Sequence, residues 1–225
     1  MCTDFAITGP LGGQMQFDRG VIMFDDMEGA LLWEETATGG DDELVLHAGA
    51  AYVGTKGLRL KTRTTDVAAG DYMTAWRKVC YPLAKRLIYR LRWRVPYATG
   101  PDYVEFGITV KDGANEHQFS IRYTPATSKI EYLNSGGTFT EISELAQDFF
   151  AKQWDTFEVG MDLDSWGYMW VISKGIKVDL AKVACQMVGA STDRSVLVSI
   201  KVVTVGVAPI EMNVDCVYVG EYERL

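Results

Sequence analysis

Phe157, Val159, Met161 and Leu163 alternate with Glu158, Gly160, Asp162 and Asp164. A period of two places the apolar set on one face of a strand and the carboxylates on the other, which a helix cannot do. Asp164-Ser165-Trp166-Gly167 follows with turn chemistry, since glycine accepts positive φ and aspartate caps nearby backbone. A second strand begins at Tyr168, Lys174-Gly175 turns the chain again, and Ile176, Val178 and Leu180 alternate with Lys177 and Asp179. Residues 154–180 therefore form a three-stranded meander, and the rest of the chain must pair with it or cover it.

The same period recurs elsewhere. Leu87, Tyr89, Leu91, Trp93 and Val95 alternate with Ile88, Arg90, Arg92 and Arg94, and Val104, Phe106, Ile108 and Val110 make another strand. Asp112-Gly113 is a hairpin signal, after which Phe119, Ile121 and Tyr123 return. Further strands are expected at residues 21–24, 44–46, 58–61, 129–133, 196–207 and 214–222. Residues 62–74 read as a polar loop and 181–191 as a crossover loop. Only residues 143–150 carry a helical pattern, with Ser143 placed as N-cap. Short strands with frequent turn signals and no repeat predict an all-β fold, an antiparallel β-sandwich of the jelly-roll type. A chain of 225 residues fits one such sandwich. Residues 1–20, rich in glycine and without periodicity, read as an extended arm ahead of a single domain spanning 21–225.

Charge narrows the function. Lys+Arg number 22 against 30 Asp+Glu, a net charge of −8, so the basic field required by nucleic-acid or anionic-membrane binding is missing. No apolar run approaches the ~20 residues of a membrane span, and residues 1–17 lack the basic and apolar regions of a secretory signal. Cys2, Cys80, Cys185 and Cys216 are widely spaced, which favours free thiols, with Cys216 at a core position. His117 is in phase with Phe119 and Ile121 and is read as an inward imidazole rather than a metal ligand.

Five stretches resemble a known family. Phe24-Asp25-Asp26-Met27-Glu28-Gly29 with Trp33, then Ala51-Tyr52-Val53-Gly54-Thr55-Lys56-Gly57-Leu58-Arg59-Leu60, are similar to the opening of jelly-roll carbohydrate-binding modules. Position 57 is glycine where those modules often carry serine. Trp154 to Val159 with Ile172 to Val178, and the closing Asn213-Val214-Asp215-Cys216-Val217-Tyr218, resemble the hairpin and last strand of laminin-G-like and concanavalin A-like domains. The resemblance covers most of residues 21–222. It implies a structural Ca²⁺ held by Asp25, Glu28 and Asp215 with backbone oxygens near Lys56; the alternative is that these are simply solvated carboxylates.

Catalytic motifs are sparse. Asp162 and Asp164 share a strand face, but the E-x-D-x-x-E strand of laminarinase-like enzymes is missing, as are G-x-S-x-G, the P-loop, G-x-G-x-x-G and H-E-x-x-H. The expectation is a non-catalytic protein. Lys85, Arg86, Arg90, Arg92 and Arg94 form a cluster expected to pair with acidic residues on neighbouring strands, or else to meet an acidic partner. Trp76, Tyr97 and Tyr103, placed in loops, are the candidate sugar-stacking platform.

The fold, without an export signal or partner enzyme domain, suggests a structural or interaction protein of a bacteriophage virion, a capsid decoration or tail component made in the host cytoplasm. The alternative is a carbohydrate-binding module that recognises a polysaccharide. Phe5, Ile7, Leu11, Met15 and Phe17 of the arm need burial, either on a neighbouring subunit of a homo-oligomer, with a trimer as the first expectation, or along the arm's own sheet edge.

Overall fold

A computed structural model describes residues 20–96, 100–145 and 152–222. Of the expected arm, residues 1–20, all but Gly20 lie outside them. The described residues form sixteen strands: β1 (Val21–Asp25), β2 (Glu34–Ala37), β3 (Glu43–His47), β4 (Gly57–Lys61), β5 (Tyr72–Cys80), β6 (Arg86–Arg94), β7 (Tyr103–Asp112), β8 (Asn115–Thr124), β9 (Lys129–Leu133), β10 (Phe139–Glu141), β11 (Asp155–Asp162), β12 (Gly167–Ser173), β13 (Ile176–Ala184), β14 (Gln186–Ala190), β15 (Arg194–Val203) and β16 (Glu211–Glu221).

All pairings are antiparallel, and the strands divide into two sheets. The first runs β13-β12-β11-β6-β16-β4-β3, with β1 also paired to β16. The second runs β10-β9-β8-β7-β15-β5-β2, with β14 on β8. The protein is an all-β jelly-roll sandwich. The expected meander is present as β11 to β13, and it lies at one side of the first sheet.

The core lies between the sheets. From the first come Leu87, Tyr89 and Leu91, with Phe157, Val159, Met161, Val214, Val217 and Val219; from the second come Val104, Ile108, Phe119, Val196, Val198 and Ile200, all buried. Phe106 and Phe157 stack across the interior with centroids 5.0 Å apart. Tyr168 is fully enclosed, donating to the Leu133 carbonyl at 2.9 Å and accepting from the Ser120 N–H. His117 is buried and lies flat against Trp166, centroids 3.5 Å apart, as its strand phase predicts.

Three local readings are corrected. The stretch read as a loop through Thr74 ends earlier, because Tyr72 opens β5, in which Met73 and Ala75 face the core. Arg77 disguises this strand in the sequence. It falls in the inward phase, yet at the sandwich edge it donates to Asp25 at 2.8 Å. The expected crossover loop is instead strand: β13 and β14 are separated by Cys185 alone, and the chain passes there from the first sheet to the second. Cys216 is half-buried rather than core. It is the extra residue of a β-bulge, at φ +52°, and this shifts the inward phase from Met212 and Val214 to Val217 and Val219. Of the expected helix, Ser143–Leu145 is a single 3₁₀ turn and residues 146–150 lie outside the described set.

Candidate functional site

Because Met73, Ala75, Val104, Phe106, Val198, Ile200, Phe119 and Ile121 fill the core, the residues between them are presented on the outer face of the second sheet. The strand register sets these into rows. One row is Trp76, Ser199, Gly107, Ser120; the next is Thr74, Lys201, Glu105, Arg122, Glu131. In the first row the Ser199 hydroxyl covers Gly107, since a Cβ there would lie 2.6 Å from it.

The second row is charged and already organised. Glu105 accepts from Arg122 at 3.0 Å and from the Ser120 hydroxyl at 2.6 Å. The Arg122 guanidinium lies over the rings of Tyr103 and Phe139, 4.0 and 3.6 Å from their centroids, and the Lys201 amine sits 4.6 Å from the Tyr72 ring. Hydrogen bonding and stacking fix these polar heads in position before any ligand arrives.

Two of the three sequence-chosen aromatics lie on this face, two strands and two rows apart. Trp76 and Tyr103 share this outer face, but they stand in β5 and β7 rather than in loops. Arg122 occupies one face of Tyr103. Trp76 is half-buried, and among the described residues no ring, cation or hydrogen-bond partner engages its indole. Tyr97 lies outside the described residues. The sequence reading missed Glu105, Arg122, Lys201 and Tyr72; their signal was the outward phase of strands whose inward phase was already apparent.

The expected calcium ligands do not converge on a cation. Asp25 accepts from the Met27 N–H at 2.9 Å, the Trp33 indole at 3.0 Å and Arg77 at 2.8 Å. Glu28 accepts the Thr55 and Lys56 N–H groups and the Thr55 hydroxyl, which hold its carboxyl below the usual range, the hydroxyl most strongly. Asp215, fully buried, accepts the N–H groups of Tyr52 at 2.8 Å, Val53 at 3.0 Å and Cys216 at 2.7 Å. Burial pushes its carboxyl up against the pull of those donors. No three His, Cys, Asp or Glu side chains gather in metal-binding geometry among the described residues. Calcium needs six to eight convergent oxygens, and the donor set does not fit it. Residues 51–57 are tied to the last strand all the same, by carboxylates that grip backbone amides.

Four of the five residues of the basic cluster meet partners within the protein, Arg90 through the expected acid on a neighbouring strand. Arg90 pairs with Glu158, Arg94 donates to the Gly49 carbonyl, Arg92 lies 3.9 Å over the Tyr52 ring, and Lys85 meets Asp164 at 2.9 Å. Asp162 accepts from the backbone of Asp164 at 2.9 Å, a turn contact rather than a catalytic pair.

No protein-family model and no curated protein sequence matches the chain. Solved structures do match its fold. An endo-β-1,4-glucuronan lyase from the fungus Trichoderma reesei superposes with TM-score 0.57 at 15% identity, over 90% of this chain and 96% of its own. Peanut lectin gives TM-score 0.55 at 9% identity over 92% and 100%. A carbohydrate esterase from the Shiga toxin-encoding bacteriophage phi24B gives 0.54 at 18% identity over 84% and 90%. At these identities the likeness is one of fold alone, a jelly-roll β-sandwich. It also corrects the expectation of a non-catalytic protein. A lyase and an esterase share the fold, so missing motifs from one enzyme group do not exclude catalysis.

Proposed function

We propose that this protein recognises a polysaccharide on the outer face of its second sheet. The observation that carries the reading is the indole of Trp76, unengaged among the described residues, beside a fixed row of polar heads at Lys201, Glu105 and Arg122. A sugar ring presents an apolar C–H face and a rim of hydroxyls. The first stacks on an indole, and the second needs donors and acceptors held at fixed positions. Affinity electrophoresis against a panel of soluble glucans, xylans and uronans tests this. Trp76→Ala should lower affinity for the retained polysaccharide about tenfold or more. An equal affinity in that variant would refute the platform.

The likeness to a bacteriophage carbohydrate esterase favours a second reading for where this recognition operates, a virion component of the capsid or tail, assembled as a homo-oligomer with a trimer as the first form to test. Light scattering gives the mass of the assembly. Mass spectrometry of purified particles from a host that carries the gene tests the location, and absence from the particles would reject it.

A further inference from the structure

A cleft of about 320 Å³ opens at one end of the sandwich, away from the sheet face just described. It forms where β6 ends at Trp93 and Val95, Tyr123 lies near the end of β8, β11 begins at Asp155 and Thr156, and the Lys174-Gly175 turn joins β12 to β13. We infer that this cleft is a separate saccharide site that takes a single uncharged sugar residue, a chain end or a free monosaccharide. The inference deepens the polysaccharide reading by adding a second subsite of different geometry.

The walls are rigid and aromatic. Trp93 packs on Phe106 and Tyr123, with centroids 5.4 and 5.9 Å apart, and Trp154 is held by the Tyr52 edge at 5.4 Å and the Arg94 guanidinium at 4.9 Å. Asp155 stands at the neck where the cleft narrows toward the core. Its Oδ1 accepts the Thr156 N–H at 2.9 Å, and its Oδ2 is 3.8 Å from the Lys174 amine. Asp155 also accepts from the Lys174 backbone N–H, and a ligand hydroxyl beside the pair can donate to the carboxylate and accept from the amine. Burial pushes the Asp155 carboxyl up, with Lys174 opposing.

The lining also rejects other ligands. A purely apolar molecule would desolvate Asp155 and Lys174 without replacing their partners. An anion would meet the Asp155 carboxylate, and a cation would compete with the Lys174 amine already facing it. A neutral polyol with a flat C–H face satisfies both the polar pair and the rings. The volume lies at the bottom of the range for small-ligand sites, about 300–1,000 Å³, which suits one ring rather than a chain.

Titration of the ¹⁵N-labelled full chain with glucose, galactose and N-acetylglucosamine, followed by the tryptophan indole N–H signals, tests the inference. At least one of these sugars should shift the Trp154 signal at millimolar concentration and leave Trp76 in place. Asp155→Asn and Lys174→Gln should each weaken that titration about tenfold while polysaccharide retention persists. If none of the sugars moves Trp154, if both variants titrate like the parent, or if Trp76→Ala abolishes the shift, the cleft is not a sugar site. Loss of polysaccharide retention in Trp76→Ala with the Trp154 titration intact supports two separate sites. Wild-type protein that shifts Trp154 with a monosaccharide but retains no polysaccharide leaves the cleft standing and removes the platform.

Discussion

Arg90 and Glu158 face each other across neighbouring strands β6 and β11, and the glutamate is only 5% exposed. Trp170 donates its indole N–H to the other oxygen of the same carboxylate at 3.1 Å, and the Lys177 amine lies 4.3 Å from that indole ring. Truncating a buried pair on one side strands the other member, which costs about 3–5 kcal/mol. Arg90 is partly open to solvent, so Glu158→Ala is expected near the lower limit, at about 3 kcal/mol. Urea unfolding of both single variants and the double variant should give a coupling energy well above that of a surface pair.

Phe157 and Trp154 should differ in the same assay. Phe157 is buried against Phe106 and Tyr89, and its alanine variant is expected to lose about 3–5 kcal/mol. Trp154 stands at the rim on Tyr52 and Arg94, so Trp154→Ala is expected to lose only about 1–2 kcal/mol. Equal losses would mean that Trp154 belongs to the interior after all.

The loop tie makes a third prediction. Asp215→Ala leaves three backbone N–H groups without their acceptor, whereas Asp215→Asn keeps a carbonyl oxygen for the Tyr52 and Val53 pair. The alanine variant should be less stable than the asparagine one by about 1–3 kcal/mol. A chelator should leave the melting temperature of the parent unchanged. A fall on chelation, reversed by calcium, would show that a cation can displace those amides.

His117 predicts a pH dependence. Burial holds its imidazole below the ordinary histidine range, with Asp112, 3.5 Å away, acting in the opposite sense. The unfolded chain therefore takes up a proton first as pH falls below about 6.5, so stability drops from there until the folded-state value is passed. His117→Phe keeps a ring against Trp166 and removes the proton. Thermal melts between pH 7 and pH 5 should flatten in that variant, and an unchanged slope would assign the dependence to other groups.

Much of the fold is legible in the sequence because burial here follows a strict period of two. Tyr89, Phe106, Ile121, Phe157 and Val159 all face inward as their phase requires. The period fails where a distant partner or a bulge intervenes. Arg77 breaks the pattern of β5 because its partner, Asp25, is 52 residues away. At Asp215 and Cys216 the only trace is a spacing of three between Val214 and Val217. The candidate site is harder to read. Residue type marks Trp76 and Tyr103, but their common face depends on the register of β15 between β5 and β7. The carboxylates that anchor residues 51–57 stand out as acids. Their partners are backbone amides, which every residue but proline carries and which no sequence pattern distinguishes.

The position of β16 bears on how this chain is made. It pairs with β6 on one side and with both β4 and β1 on the other, so the strand that leaves the ribosome last of the sixteen belongs near the middle of its sheet. The earliest strand, β1, has no partner in that sheet until it arrives. Until β16 emerges, the nascent sandwich must therefore hold open edges and a half-covered core, and its longest loops close only then. Such a chain is most exposed to aggregation before β16 pairs, and slower elongation would lengthen that exposure.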